Sequence, residues 1–191
     1  MENASRLYFI ALLPPADIQE EVTQIKRDFA DNYGSRAALK SPPHVTLQPP
    51  FERSIDEVSR LKACLREFAT GYAPVPMKLS GFGAFPPRVI YVDVMKTPEL
   101  MAIQASLAAH LEANLGWVDP RNRSRPFAPH MTVAFRDLKR EAFKKAWSQY
   151  RDRSISYEFT ATHLTLLHHN SRCWEIETEF PFFRGLERTR H

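Results

Sequence analysis

The chain has 191 residues, of which 43% are hydrophobic and 25% are charged, and its formal net charge is +4. This length suits one domain, or one domain made of two similar lobes, and the composition is an ordinary soluble balance. The sequence has no apolar run of roughly 18 residues, so we expect no membrane-spanning helix. An excess of 26 basic over 22 acidic residues only mildly favours an anionic partner.

The N-terminal segment and the cysteines bear on the cellular compartment. The acidic Glu2 precedes a short apolar run, which is the wrong order for a secretory signal. Cys64 and Cys173 lack the spacing of a metal site or a CxxC motif, and we expect buried free thiols. We therefore expect a cytoplasmic protein, and we expect it to be a monomer.

The first half of the chain predicts two strands and two helices. Leu7–Leu13 is a continuous apolar run that ends at two prolines, as expected of a buried strand. A helix is predicted over Ala16–Tyr33, where one face carries Ile18, Val22, Ile25 and Phe29. Prolines rule out a helix at residues 41–47, so His44–Leu47 is predicted as a short strand. A second helix is predicted over Ser54–Thr70.

The second half repeats this order of elements. Met77–Phe85 and Arg88–Met95 predict a hairpin, and Pro98–Leu115 predicts a helix. A basic loop at Arg121–Arg125 precedes a proline-led strand that contains His130. The remaining predicted elements are a helix over Lys139–Tyr150 and three strands, Ser156–Thr160, His163–Leu167 and Cys173–Glu179.

The two halves therefore match in pattern, although not in identity. We predict an α+β fold in one bilobal domain over residues 1–191. Two pseudo-symmetric lobes of antiparallel-rich sheet with outer helices would cover residues 1–85 and 86–182, and a basic tail would cover residues 183–191. A pseudo-twofold axis between the lobes would make His44 and His130 face each other across an active-site cleft.

Two His-x-Thr triplets carry the predicted chemistry. Because strand residues i and i+2 share a face, His44 and Thr46 project together, as do His130 and Thr132. Imidazole can hold or release a proton near neutral pH, and a threonine hydroxyl can donate a hydrogen bond to a phosphoryl oxygen. Two such units supply a general base, a general acid and two oxyanion contacts, which suffice for in-line attack at phosphorus without metal. A ribose 2',3'-cyclic phosphate fits this set of groups.

A single His-x-Thr match is weak evidence, since His163-Leu164-Thr165 is a third match in the same chain. Only the first two triplets occur in equivalent places, each after a proline and before a turn and a helix. The pair His168-His169 has no carboxylate or cysteine at ligand spacing, so we predict no metal site there.

The segments Pro43-His44-Val45-Thr46-Leu47 and Pro129-His130-Met131-Thr132-Val133, with the duplication and the length, resemble the 2H phosphoesterase superfamily. This group contains the 2'-5' RNA ligase-like proteins and cyclic phosphodiesterases. The resemblance extends over about residues 5 to 182 and includes Gly81-Phe82-Gly83-Ala84-Phe85. It implies catalysis without metal or cofactor in a cleft between two lobes. It also implies that His44 is the acid on the leaving oxygen and that His130 activates water.

Residues next to the triplets are the candidates for substrate binding. Phe51 and Phe127 flank the triplets and could stack on a base. They rank above the other aromatic candidates, Phe82, Phe85 and Trp117. Many bacterial members of the similar family carry an arginine three positions after the second threonine, where this chain has Phe135 followed by Arg136. On an ideal strand Arg136 lies on the catalytic face, so we expect it to reach a phosphate.

The sequence therefore predicts metal-independent hydrolysis of a 2',3'-cyclic phosphate on RNA ends or cyclic nucleotides, with a 2'-phosphate as the product that the resemblance implies. Joining RNA ends through a 2'-5' linkage uses the same groups and stays open as an alternative. A nucleotide- or RNA-binding module without turnover is the alternative from a different class, and the intact histidines of both triplets argue against it.

Overall fold

The computed structural model describes residues 4–183, apart from the side chains of residues 122 and 123. Its strands are β1 (Ser5–Leu12), β2 (Val45–Ser54), β3 (Val75–Phe85), β4 (Val89–Val94), β5 (His130–Ala134), β6 (Ser156–Ala161), β7 (His163–His169) and β8 (Trp174–Pro181). Its α-helices are α1 (Ala16–Tyr33), α2 (Val58–Thr70), α3 (Pro98–Leu115), α4 (Pro120–Ser124) and α5 (Arg140–Tyr150), and two short 3-10 helices cover Ala37–Lys40 and Ile55–Glu57. The predicted basic tail lies outside the described residues from position 184 onward.

The strands form two antiparallel sheets of four strands each. One sheet has the order β2-β1-β7-β8, and the other has the order β5-β4-β3-β6. In each sheet, the strand at one edge begins at a proline-led His-x-Thr triplet. The prediction of an α+β fold with antiparallel sheets is confirmed.

The two long helices α1 and α3 end by the same local rule. Each is followed by a glycine in the left-handed conformation, Gly34 with φ 69° and Gly116 with φ 63°. Side chains with a Cβ rarely adopt this conformation, so glycine allows the chain to turn sharply out of the helix. Both helices then lead, through a loop and a short helical turn, toward a strand with a His-x-Thr triplet.

The predicted lobes are not the two contiguous halves of the chain. The boundary between residues 85 and 86 falls between β3 and β4, which pair with each other in one sheet. In return, β7 and β8 from the C-terminal part of the chain complete the sheet that contains β1 and β2. The halves thus exchange strands: β1 of the first half pairs with β7 of the second, and β4 of the second half pairs with β3 of the first.

Two further local expectations differ from the structure. The predicted basic loop Arg121–Arg125 is mostly the short helix α4, with Pro120 in its first turn and Asp119 as its N-cap. The strand predicted over His44–Leu47 continues as β2 to Ser54 through Pro49 and Pro50. An edge strand tolerates proline because one side of its backbone needs no partner strand.

The helices cross from one half of the chain to the other. Helix α1 contacts β5 and α5 of the second half, and α3 contacts β2 and β3 of the first half. The buried side chains of these helices join those of both sheets in one large apolar core.

Cys64 is buried in this core and Cys173 is half-buried, and both are free thiols. Within residues 4–183, no helix has the length and apolarity needed to cross a bilayer.

Candidate active site

The edge strands β2 and β5 bring the two triplets together. The two strands belong to different sheets and contact each other. His44 directly precedes β2, and His130 is the first residue of β5. The two imidazoles lie near enough for the charge of His130 to affect the protonation of His44. The fold thus places two histidines, 86 residues apart in the chain, at one site.

Alternation along the two strands separates core residues from site residues. Val45 and Leu47 of β2 are buried, and so are Met131 and Val133 of β5. The histidine and threonine of each triplet occupy the other face and are half-buried. Within the described part of the chain, no other residue forms a hydrogen bond with the hydroxyl of either threonine of these triplets. Both hydroxyls can therefore donate to a ligand.

The backbone ahead of each histidine holds its ring in the same way. His44 Nδ1 lies 2.7 Å from the Pro42 carbonyl oxygen, and His130 Nδ1 lies 2.7 Å from the Ala128 carbonyl oxygen. A carbonyl oxygen can only accept, so each Nδ1 carries the proton and each neutral ring keeps the lone pair on Nε2. The proline between carbonyl and histidine restricts the backbone ahead of it to extended conformations, which favours this arrangement.

Aromatic side chains pack against both imidazoles. The Phe9 ring lies 4.7 Å from the His44 ring, measured between centroids. The rings of Phe85 and Tyr91 both lie 5.2 Å from the His130 ring. These contacts limit how the imidazoles can rotate, so each Nε2 has a defined direction.

Burial affects the protonation of His44. Desolvation lowers the pKa of His44 to about 4, the hydrogen bond with the Pro42 carbonyl partly opposes this, and the charges of Lys26 and His130 lower the pKa further. In the free protein His44 is therefore neutral near pH 7, with its proton on Nδ1. Its Nε2 is then a proton acceptor.

A cleft of about 950 Å³ opens beside the triplets. Thr46 and His130 form part of its wall. Its aromatic wall consists of Phe85, Trp117 and Phe127, and small residues of α3 line another side, among them Ala105, Ala108 and Ala109. Arg121 and Arg125 also line the cleft. The volume lies at the upper end of the range for small-molecule sites, about 300–1,000 Å³.

A buried carboxylate fixes one of these arginines. Asp119 accepts hydrogen bonds from the Arg121 side chain through Nε and Nη2 and from Gln48 Nε2 at 2.7 Å. Arg121 Nη2 also donates to the Pro50 carbonyl oxygen. The hydrogen bonds from Arg121 lower the pKa of Asp119, so this carboxylate stays ionised. The guanidinium of Arg121 is thereby held at the cleft, with its charge largely compensated by Asp119.

The three predicted substrate-binding residues have different positions. Phe127 lines the cleft. Phe51 is only 6% exposed and packs between Tyr8 and Trp117 in the core, so its ring is not available to a base. Arg136 is not among the cleft residues either. Strand β5 ends at Ala134, and the left-handed backbone of Arg136, with φ 58°, ends the alternation that had predicted its position on the catalytic face.

The remaining histidine candidates lie away from this cleft. Thr165 of the third triplet is buried in β7, between β1 and β8, and His163 Nδ1 lies 2.8 Å from the Thr162 hydroxyl. His168 pairs with Glu177. Within residues 4–183, no three histidine, cysteine, aspartate or glutamate side chains are close enough to hold a metal ion.

Sequence reasoning missed Phe9, Tyr91 and Lys26 as neighbours of the histidines. One signal for Tyr91 was present, because Gly83 lies opposite it in the hairpin. A glycine inside a strand often marks a close approach of another group. For Lys26 the signal was a charged residue four positions after Val22, on the apolar face of a predicted helix.

Comparisons with known proteins agree with this architecture. The family model described as the 2'-5' RNA ligase superfamily matches residues 14–172. A provisionally named phosphoesterase of Geobacillus kaustophilus is 28% identical over 176 residues, which are 91% of this chain and 94% of that protein. A provisionally named phosphoesterase of Bacillus licheniformis is 35% identical over 129 residues, which are 66% of this chain and 69% of that protein.

Solved structures share the fold at lower identity. TT0787 of Thermus thermophilus superposes with a TM-score of 0.68 at 21% identity, covering 93% of this chain and 97% of that one. LigT of Escherichia coli in complex with 3'-AMP superposes with a TM-score of 0.65 at 18% identity, covering 95% of this chain and 100% of LigT. LigT has also been crystallised with NADP+.

Proposed function

The chain belongs to the 2'-5' RNA ligase superfamily, and we propose that it hydrolyses ribose 2',3'-cyclic phosphates on RNA ends or nucleotides without metal. The resemblance of the sequence to 2H phosphoesterases is confirmed by this family match and by the phosphoesterase names of its relatives. The observation that carries the proposal is the matched pair His44 and His130. Each ring is held through Nδ1 and keeps Nε2 for proton transfer.

The proposed reaction needs only the groups of the two triplets. A water molecule attacks phosphorus while one imidazole takes its proton. The bond between phosphorus and O3' breaks while the other imidazole protonates O3', which leaves a 2'-phosphate and a free 3'-hydroxyl. Thr46 and Thr132 donate hydrogen bonds to the non-bridging oxygens, where negative charge increases. Each positioned proton transfer contributes roughly 10²–10⁴-fold to the rate.

Following the family resemblance, we assign His44 as the acid and His130 as the base. Burial opposes a proton on His44 in the free protein. A phosphate anion beside the ring has the opposite effect, because a negative charge within about 4–6 Å stabilises imidazolium. We therefore expect His44 to gain its proton as the anionic substrate binds.

The shape and chemistry of the cleft support a nucleotide as substrate. Phe85, Trp117 and Phe127 offer aromatic surface for a base, and 43% of Phe85 is exposed. Arg125 adds positive charge that suits the phosphates of an RNA end. The binding of 3'-AMP and NADP+ by LigT, which shares the fold, agrees with such a ligand.

The proposal is tested with 2',3'-cyclic nucleotides and with an RNA oligonucleotide that ends in a 2',3'-cyclic phosphate, both in excess EDTA. We expect hydrolysis to continue in EDTA and to yield predominantly the 2'-phosphate, which chromatography separates from the 3'-phosphate. Activity that disappears in EDTA and returns with a divalent ion would contradict the metal-independent reaction. A predominantly 3'-phosphate product would reverse the roles of the two histidines. Binding of both substrates without turnover would favour the binding module.

RNA joining is a second candidate, which the match to the 2'-5' RNA ligase superfamily favours. It differs from hydrolysis only in the nucleophile, since a 5'-hydroxyl replaces water and expulsion of O3' leaves a 2'-5' linkage. An RNA with a 5'-hydroxyl, added to the same assay, tests this reaction. A joined product resistant to a 3'-5'-specific ribonuclease would support it, and hydrolysis alone would exclude it under these conditions.

A further inference from the structure

Lys26 is a buried lysine behind the active site that the proposed reaction does not use. It lies on the inner face of α1, and only 2% of the residue is exposed. Its Nζ atom donates a hydrogen bond to the Ser41 carbonyl oxygen at 2.9 Å. Within the described part of the chain, it forms no salt bridge. A buried ammonium without a carboxylate partner is costly, so its presence calls for a physical reason.

The hydrogen bond of Lys26 leads directly to His44. The Ser41 carbonyl belongs to the peptide bond between Ser41 and Pro42, and the next carbonyl, that of Pro42, holds His44 Nδ1 at 2.7 Å. The ammonium and the imidazole therefore bind two successive carbonyls of one turn. Fixing the first peptide group limits how far the second carbonyl can rotate.

A small cavity of about 230 Å³ lies behind this turn. Lys26, Ser41 and Pro42 line it together with Trp174. The Trp174 ring packs at 4.7 Å against the Phe9 ring, which in turn packs at 4.7 Å against the His44 ring. Lys26 is thus part of the rear wall of the site, away from the cleft that would take the substrate.

We propose that Lys26 is a positioning residue for His44: its ammonium fixes the turn that orients the imidazole and places a positive charge behind it. This proposal rests on the proposed function, because it concerns a histidine that transfers a proton. Residues ahead of His130 have no equivalent, since within residues 4–183 no ammonium group donates to the Ala128 carbonyl or its neighbours. The two histidines are therefore held alike through Nδ1 but differ in what lies behind them.

The charge of Lys26 has a defined effect on His44. The groups whose charges reach His44 are Lys26 from α1 and His130 from β5, and both lower the pKa of His44. Lys40 and Cys173 also line the cavity beside Lys26, and neither is a carboxylate that could cancel its charge. Burial lowers the pKa of Lys26 to about 7, so its positive charge is present below neutral pH and decreases above it.

Substitution of Lys26 by methionine tests this role. Lys26→Met keeps the aliphatic volume and removes the buried charge, so we expect a folded protein. With the charge gone, the pKa of His44 should rise by about half a pH unit or more, since one neighbouring positive charge fewer opposes protonation. The titration of the His44 ring by NMR measures this directly and requires no turnover. Lys40→Met is the matched control, because exposed Lys40 lines the same cavity, and it should leave the titration of His44 unchanged.

Kinetics provide the second readout. In Lys26→Met, kcat/KM at neutral pH should fall by on the order of tenfold, because the imidazole is less well oriented. The limb of the pH profile that reports the protonation of His44 should move to higher pH together with the pKa of His44. Lys26→Gln, which keeps a hydrogen-bond donor without the charge, should show the same shift of the limb with a smaller loss of rate.

An unchanged His44 titration in both variants would overturn the proposal even if the protein hydrolyses cyclic phosphates. If the His44 titration shifts but the protein does not hydrolyse cyclic phosphates, the effect of Lys26 on His44 is supported and the proposed function is contradicted.

Discussion

The hydroxyls of Thr46 and Thr132 give the most specific prediction for single residues. Both are half-buried on the face that carries the histidines, and neither is used by another described residue. Thr46→Val or Thr132→Val keeps the size and the β-branched shape of the side chain but removes a donor to the phosphoryl oxygens. The rate of cyclic phosphate hydrolysis should fall by on the order of 10²–10³, as for the loss of one oxyanion donor.

Thr165 is the matched control for these variants, since it also belongs to a His-x-Thr triplet but is buried in β7. Thr165→Val should retain near-normal turnover. A greater loss at Thr165 than at Thr46 would mean that a different triplet carries the chemistry.

At the scale of residues, the sequence was most informative where a local pattern repeats. Alternation along a strand predicted that each histidine shares a face with its threonine, and the burial of Val45 and Met131 bears this out. Alternation failed for Arg136, because the strand ends two residues earlier. The positions of Phe9 and Lys26 beside His44 depend on contacts between distant segments, which no local pattern encodes.

The hairpin of β3 and β4 gives a prediction at the scale of elements. Gly83 lies opposite Tyr91, and a Cβ atom at Gly83 would lie 2.3 Å from the Tyr91 ring. Gly83→Ala must therefore displace this ring, which packs against His130. We expect a loss of about 1–3 kcal/mol in the free energy of unfolding, as for other overpacked sites, and a lower kcat from a less well-held imidazole. Thermal unfolding and steady-state kinetics measure the two effects.

Gly71→Ala serves as the control, because a Cβ atom there would meet only the Phe68 carbonyl oxygen, at 3.4 Å. The free energy of unfolding and the kcat of this variant should both stay close to the wild-type values. Wild-type kcat in a folded Gly83→Ala protein would show that Tyr91 does not help to hold His130.

Several elements could be predicted because proline or glycine bounds them: β1 is an apolar run that ends before Pro14, and α1 and α3 both end at a glycine. The end of β2 could not be predicted, because Pro49 and Pro50 normally indicate the end of a strand. Only the position of β2 at the edge of its sheet explains why the strand continues through them. Helix α4 was missed because a proline followed by four polar residues carries no apolar periodicity. Its N-cap Asp119 and the following Pro120 were the only local signals for it.

At the scale of the whole molecule, the duplication predicted that two strands with histidines would meet, but not how the sheets are assembled. Hydrophobic patterns show which side of a strand is buried and do not identify its neighbours. The exchange that places β3 beside β4 and β7 beside β1 is therefore invisible in the sequence. Because of this exchange each half of the chain contributes strands to both sheets, and the edge strands β2 and β5 of the two sheets contact each other.

The proposed reaction requires His44 and His130, from two different sheets, to act as one catalytic unit. The most direct test is kcat/KM for a 2',3'-cyclic phosphate in EDTA, measured for His44→Ala, His130→Ala and the double variant, with circular dichroism to establish folding. Each single variant should lose most of the activity, and the double variant should be little worse than either, because groups that act together are strongly non-additive. Near-normal kcat/KM in a folded His130→Ala protein, or losses that multiply in the double variant, would contradict this requirement.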